Sequence, residues 1–342
     1  MKPKKTSPRN LLLILLAAVV LRIIISCTLG DRLAFFSQPE LAGYLKSESA
    51  STITAEPLAT EQTEQTEQTE PSTQAVTEPD ETLAQLAAPF SAISLTEEDS
   101  SYVEIHYSSS KKPDIPALLT KSLTWDLTAD APTVLIIHTH GTEAFTPTPG
   151  MEYQEDSGEY RTTNSDVNMI ALGEELARQL QSAGINVIHD KEYYDYPDYE
   201  ASYDICREAL QKHMNSTPSL KLVIDLHRDA AEYSDGTQWA TSATVNGKDS
   251  AQIMLVMGTD SYYTHPNWEK NLSVALKLHA LMEKAHPGST RPLDLRKQRF
   301  NQDLSPGALL VEVGAAGNTH AEAALAARQL ARAIISLAKG TE

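Results

Sequence analysis

The chain has 342 residues, 41% of them hydrophobic and 22% charged, and a formal net charge of −18. That acidity, with no cluster of Lys and Arg in the later part of the chain, excludes a nucleic-acid binder, which needs a basic face to displace counterions from phosphates. The two cysteines, Cys27 and Cys206, supply neither a disulfide framework nor a cysteine zinc site, so any metal must be held by histidine and carboxylate.

The charge is unevenly spread. Residues 1–30 carry five bases and no acid, residues 31–100 carry fourteen acids against Arg32 and Lys46, and the remainder carries 32 acids against 21 bases. Lys2, Lys4, Lys5 and Arg9 precede an apolar run from Leu11 to Leu29 broken only by Arg22. As a helix rising ~1.5 Å per residue it is long enough for a ~30 Å hydrocarbon core. Residues 1–30 are therefore expected to be a short cytoplasmic tip and transmembrane anchor, with the body outside the cytoplasm, because bases are retained on the inner side. Lipidation at Cys27, within Ile24-Ile25-Ser26-Cys27, is the alternative and places the body on the same side. Residues 31–100 contain a Thr-Glu-Gln tandem repeat between Thr60 and Glu70. They are expected to be a disordered acidic linker, unable to bury enough apolar surface to offset chain entropy.

From residue 101 onward, apolar runs alternate with helical periodicity. Thr133–Ile137 reads as a strand buried on both faces. A helix marked by Val167, Ile170, Leu172, Leu176 and Leu180 is expected to start near Ser165 or Asp166 and to stop at Gly184, followed by a strand over Ile185–Ile188. Tyr203–Met214 repeats the helix and Leu220–Ile224 the strand. Gln238–Val245 and Gln252–Gly258 read as two strands joined around Asn246-Gly247, a hairpin signal. A helix over Asn267–Ala285, an Arg/Lys-rich loop, a strand over Ala308–Val311 and a helix over Thr319–Leu337 complete the chain. The order implies one α/β domain, residues 101–342, built on a mainly parallel sheet with helices on both faces. Such sheets carry their sites at the carboxyl ends of the strands.

Three of those ends are ionisable: His138-Thr139-His140-Gly141-Thr142-Glu143, Asp225-Leu226-His227-Arg228-Asp229 and Glu312-Val313-Gly314. His140 and Glu143, with the remote His227, can give Zn²⁺ three ligands and leave a position for water. Alternation along a strand turns His138 to the same side as His140, so His138 is the alternative first ligand. Glu312 is then the candidate general base, passing a proton from water to a leaving amine. Arg228 or Arg291 is the candidate for the tetrahedral oxyanion or a substrate carboxylate. Asp225 and Asp229 are expected to orient His227 or to pair with Arg228.

These stretches resemble the stage II sporulation protein P family. The resemblance continues through Met257-Gly258-Thr259-Asp260, Asn267-Trp268-Glu269-Lys270-Asn271-Leu272 and the long Asn301-Gln302-Asp303-Leu304-Ser305-Pro306-Gly307-Ala308-Leu309-Leu310-Val311-Glu312-Val313-Gly314. It departs from the family's pattern at Ala315, where a glycine is expected. What the resemblance implies is a zinc-dependent N-acetylmuramoyl-L-alanine amidase, similar in fold to the cell-wall amidases and active on peptidoglycan during engulfment in sporulation. Family members are also credited with cleaving peptide cross-links. The implied metal ligands are His140, Glu143 and His227, and the implied acid/base is Glu312. The implied partners are stage II sporulation proteins D and M. The competing readings are a zinc carboxypeptidase-like peptidase acting on stem peptides and a non-catalytic wall-binding scaffold.

Overall fold

The computed structural model describes residues 95–156 and 159–341. The expected anchor, nearly all of the linker and Cys27 lie outside the described residues. No helix among the described residues is long and apolar enough to cross a membrane. The folded part begins before the expected boundary at residue 101. Glu97–Tyr102 is a 3-10 turn with a Thr96/Asp99 capping box, and Asp99 is tied to Lys284 at 2.7 Å.

Among the described residues nine strands and five α-helices follow; the strands in chain order are β1 (Ile105–Tyr107), β2 (Val134–Ile137), β3 (Val187–His189), β4 (Leu222–Asp229), β5 (Ala243–Val245), β6 (Lys248–Ser250), β7 (Ile253–Gly258), β8 (Leu293–Arg296) and β9 (Ala308–Ala315). The helices are α1 (Ile115–Thr120), α2 (Met169–Ser182), α3 (Ser202–Ser216), α4 (Trp268–Ala285) and α5 (His320–Ser336). Seven strands form one sheet in the order β1-β8-β7-β9-β4-β2-β3. The expected mainly parallel sheet is present. Every neighbouring pair is parallel except β7 with β9, so β2, β3, β4 and β9 end at one edge while β7, β8 and β1 end at the other.

Three expectations change. The hairpin does turn at Asn246-Gly247, but it pairs Ala243–Val245 with Lys248–Ser250 as a separate two-stranded sheet, while β7 belongs to the main sheet. Leu293–Arg296, read as part of a charged loop, is a strand with Leu293 and Leu295 buried on one face. The helix expected from Ser165 or Asp166 is capped by Asn168, whose side chain accepts from the Ile170 amide at 2.9 Å.

The helices are distributed unequally. Val134, Ile136, Ile224, Leu255, Leu295, Val311 and their neighbours pack against α2, α4 and α5 in the large core. On the opposite face, α3 covers only the β2/β4 half, where Cys206 and Leu210 meet Leu135, Ile137, Val223 and Ala308. On the other half, Met254, Val256 and Leu310 cluster with Phe300 and no helix. Helices lie on both faces as expected, but the second face is half covered by loops.

The family-like stretch Asn301–Gly307 knits this half together. Gln302 is buried; its Oε1 accepts from the Gly258 amide and its Nε2 donates to Val256 O, both at 2.8 Å. Asn271 on α4 donates to Gln302 O at 2.8 Å and accepts from the Gly307 amide at 2.7 Å. Ala315 takes no left-handed backbone, so alanine serves where glycine was expected. The turn after it is held by Asn318, whose Oδ1 accepts from the Ala315 amide at 3.0 Å.

Candidate functional site

β2 ends at Ile137 and the chain turns at once, so the alternation that would set His138 and His140 side by side stops there. His138 is fully buried, its Nδ1 donating to Leu226 O at 3.0 Å and its Nε2 hydrogen-bonded with His189 Nε2 at 2.9 Å. This packing needs the bare Cα of Gly173 on α2, where a Cβ would come within 2.6 Å of His138 Nε2. His140 goes the other way, its ring centroid 5.2 Å from that of His227. Of the two histidines, His140 is the one brought to His227.

Glu143 joins them, its Oε2 3.6 Å from His227 Nδ1 and accepting the Arg228 backbone amide at 3.1 Å. Glu312 on β9 stands directly opposite His227 in register. His140, Glu143 and His227 are all buried, at 6%, 4% and 3% exposure, so their electrostatics are those of a dry pocket. Burial pushes His140 down to about 3 and lifts the Glu312 carboxyl to about 8, with Asp229 and Glu143 adding repulsion and His227 opposing it. For Glu143 burial works upward, yet the His227 hydrogen bond and the Arg228 and Arg161 charges hold it well below the usual carboxylate range. His227 is disfavoured as a cation by burial but held well above its ordinary value by Asp225 and Glu143.

Asp225 lies against His227 as expected, Oδ1 2.9 Å from Nε2. That approach is off the N–H direction, because Nε2 has no hydrogen-bond partner, and both Asp225 oxygens accept instead from Thr139 at 2.8 and 2.7 Å. Among the described residues no three His, Cys, Asp or Glu side chains stand as a formed metal cluster. The donor set nevertheless suits a divalent cation in kind. His140 Nδ1, His227 Nε2 and Glu312 Oε2 are buried without partners, and a dry pocket holding the Glu143, Asp225 and Glu312 carboxyls calls for positive charge.

The Arg228 side chain is buried, with Nε donating to Ala144 O at 2.9 Å and Nη2 to Glu159 O at 2.6 Å and Tyr160 O at 3.2 Å, while Nη1 is buried without a partner. These bonds anchor the loop beyond Glu143. Asp229 pairs with Arg291, not Arg228, at 2.6 Å.

Three residues at the site went unforeseen. Tyr199 stacks on His140 with centroids 4.5 Å apart and planes 13° apart. Arg161 lies over the other part of this wall, 4.5 Å from the Tyr199 ring and 3.6 and 3.5 Å from Glu143 and Asp195. Asp195 accepts from the Thr142 amide and hydroxyl, the latter at 2.6 Å. The signal available for Tyr199 and Asp195 was position: both lie in the segment 190–199 that follows β3 at the carboxyl edge of the parallel strands. Nothing local marks Arg161.

Residues 27–335 match the family described as Stage II sporulation protein P (SpoIIP). The Stage II sporulation protein P of Bacillus subtilis (strain 168) is 32% identical over 215 residues, 60% of this chain and 50% of that protein, so the chain spans about half the length of this curated relative. Similar solved structures include the N-acetylmuramoyl-L-alanine amidase AmiC2 of Nostoc punctiforme, at 13% identity and TM-score 0.34 over 59% of this chain and 94% of that one. Another is the CwlD amidase of Clostridioides difficile in complex with the GerS lipoprotein, at 13% identity and TM-score 0.35 over 60% and 97%. At such scores these structures are no evidence for a shared reaction. The family match covers all but the ends of the chain, and the chain belongs to the stage II sporulation protein P family.

Proposed function

We propose that this chain is a zinc-dependent peptidoglycan hydrolase of sporulation, an N-acetylmuramoyl-L-alanine amidase that frees stem peptides from glycan strands. The observation that carries the reading is the meeting of His140, Glu143 and His227 in one dry pocket with Glu312 in register beside His227. His140, Glu143 and His227 would hold the zinc ion. When bound, zinc supplies Lewis-acid polarisation of the scissile carbonyl and makes water acidic enough to attack near neutral pH.

The chain's own residues account for the rest. Glu312, whose Oε2 has no partner, takes the proton of the attacking water and delivers it to the departing amine, a task for which a carboxyl lifted toward neutrality is suited. Asp225 stands behind His227, and Arg161 with Tyr199 backs Glu143 and His140, so the three donors are braced by neighbouring side chains and not by solvent. Residues 1–30 would tether the enzyme to the membrane and residues 31–100 would space it toward the wall; stage II sporulation proteins D and M are the proposed partners.

Digestion of purified sacculi by the full-length protein, followed by muropeptide analysis, tests this. The wild type should release whole stem peptides, Glu312→Gln should keep zinc and release none, and His140→Ala should lose both. Stems that are only shortened would show a carboxypeptidase instead, and full activity in Glu312→Gln would refute the mechanism.

A further inference from the structure

Arg228 is committed to backbone carbonyls and Arg161 to Glu143, Asp195 and Tyr199. Each keeps an Nη1 without a hydrogen-bond partner, but that atom is buried. Arg291 differs. It lies two residues before Leu293, the first residue of β8, and its amide donates to Ile253 O at 2.8 Å, at the start of β7. That is the site edge of the sheet, because the next β7 residue, Met254, is opposite Glu312. The order β8-β7-β9-β4 puts three strand spacings, about 14 Å, between the main chains of β8 and β4. Arg291 Nη1 nevertheless reaches Asp229 on β4 at 2.6 Å. To do so the side chains must meet above the carboxyl end of β9, the strand that carries Glu312. The Asp229 charge is among those acting on the Glu312 carboxyl, which agrees with that placement.

The guanidinium is fixed on two sides, by Asp229 at one nitrogen and by Trp239, whose ring centroid lies 4.5 Å from Arg291 Cζ. Trp239 is itself seated by its backbone, Gly317 N donating to Trp239 O at 2.9 Å, and a Cβ on Gly317 would collide with that backbone at 2.6 Å. Among the described residues Nε and Nη2 of Arg291 have no hydrogen-bond partner, and its side chain is 16% exposed. A planar cation held by one edge and one face, with its remaining donors accessible, is preorganised for a carboxylate.

We propose that Arg291, positioned by Asp229 and Trp239, forms a subsite for a substrate carboxylate one to two residues beyond the scissile amide on the peptide side. An extended peptide advances about 3.3 Å per residue, so side chains that meet above the carboxyl end of β9, the strand of Glu312, are within reach of the first two residues past the cut. This deepens the amidase reading and rests on it: in a stem peptide that begins with alanine, the second residue is acidic, and its free carboxylate is the group recognised.

The test is binding, which needs no turnover. The full-length protein carrying Glu312→Gln is titrated calorimetrically with N-acetylmuramoyl-L-alanyl-D-glutamate and with the same compound bearing D-isoglutamine, an α-carboxamide in place of the α-carboxylate, the γ-carboxyl being blocked as an amide in both as the continuing stem blocks it. The carboxylate form should bind about tenfold more tightly. Adding Arg291→Gln should erase the difference, and Arg291→Lys should recover part of it. In otherwise wild-type protein the loss in Arg291→Gln should fall on KM more than on kcat. Equal affinity for the two compounds before Arg291 is touched, or an undiminished preference in Arg291→Gln, overturns the assignment. Because the first comparison involves no change at Arg291, misfolding of a variant cannot mimic failure. The carboxylate preference together with failure of the wild-type protein to hydrolyse sacculi would sink the amidase reading and leave the subsite standing.

Discussion

Replacing Arg228 by Met separates a structural arginine from a catalytic one. The side chain makes three hydrogen bonds to the carbonyls of Ala144, Glu159 and Tyr160. Methionine fills much of the volume but leaves those carbonyls without donors in a buried setting. Each orphaned acceptor costs about 1 kcal/mol or more, and removing a buried cation exposes Glu143 to fewer compensating charges. The expected loss is about 3–5 kcal/mol, which for a domain of this size lowers Tm by roughly 10 °C. Arg228→Lys keeps the charge but lacks the planar fork, so about half the loss should remain. Thermal unfolding of the full-length proteins, followed by circular dichroism, gives the answer. Below its own melting temperature Arg228→Met should still hydrolyse sacculi. A variant that melts with the wild type and has lost all turnover would refute the argument and return Arg228 to the substrate.

Other consequences are equally direct. His279 on α4 is buried and pushed by burial to about 4, below the ~6.5 of an unfolded histidine. The unfolded chain therefore binds this proton first as pH falls, and the stability that depends on a neutral His279 should drain away between pH 6.5 and 4, on the order of 2–3 kcal/mol; urea titrations across that range should show a shallower decline in His279→Gln. Gln302→Ala should cost about 2–3 kcal/mol by stranding the Gly258 amide and the Val256 carbonyl, and a wild-type urea midpoint would count against that role. Gly173→Ala puts a methyl within 2.5 Å of His189 Nε2, so a fall of about 1–3 kcal/mol in stability is expected, measurable by the same titrations.

Much of this protein was readable residue by residue. Val134–Ile137 is uniformly apolar because it is buried on both faces, and the ends of β2, β4 and β9 announced His140, Glu143, His227 and Glu312, since ionisable groups that end a buried strand need a reason to be there. The parallel order followed from the alternation of strands and helices. Strand β8 escaped because only Leu293 and Leu295 turn into the core, while Asp294 and Arg296 read as loop charges. β1 is three residues long with none of them buried and leaves no periodicity to detect.

What tertiary structure decided was direction. His138 and His140 carry the same local signal, and only the turn after Ile137, with the space left by Gly173, sends one into the α2 interface and the other to His227. Arg228 and Arg291 are both plausible ligands for a substrate anion in the sequence. One is consumed by carbonyls of residues 144 to 160, and the other crosses the sheet edge to Asp229. Side-chain chemistry is local and so can be read from the sequence. Which donors remain unspent depends on partners brought together from 60 to 90 positions away, and the fold alone makes those introductions.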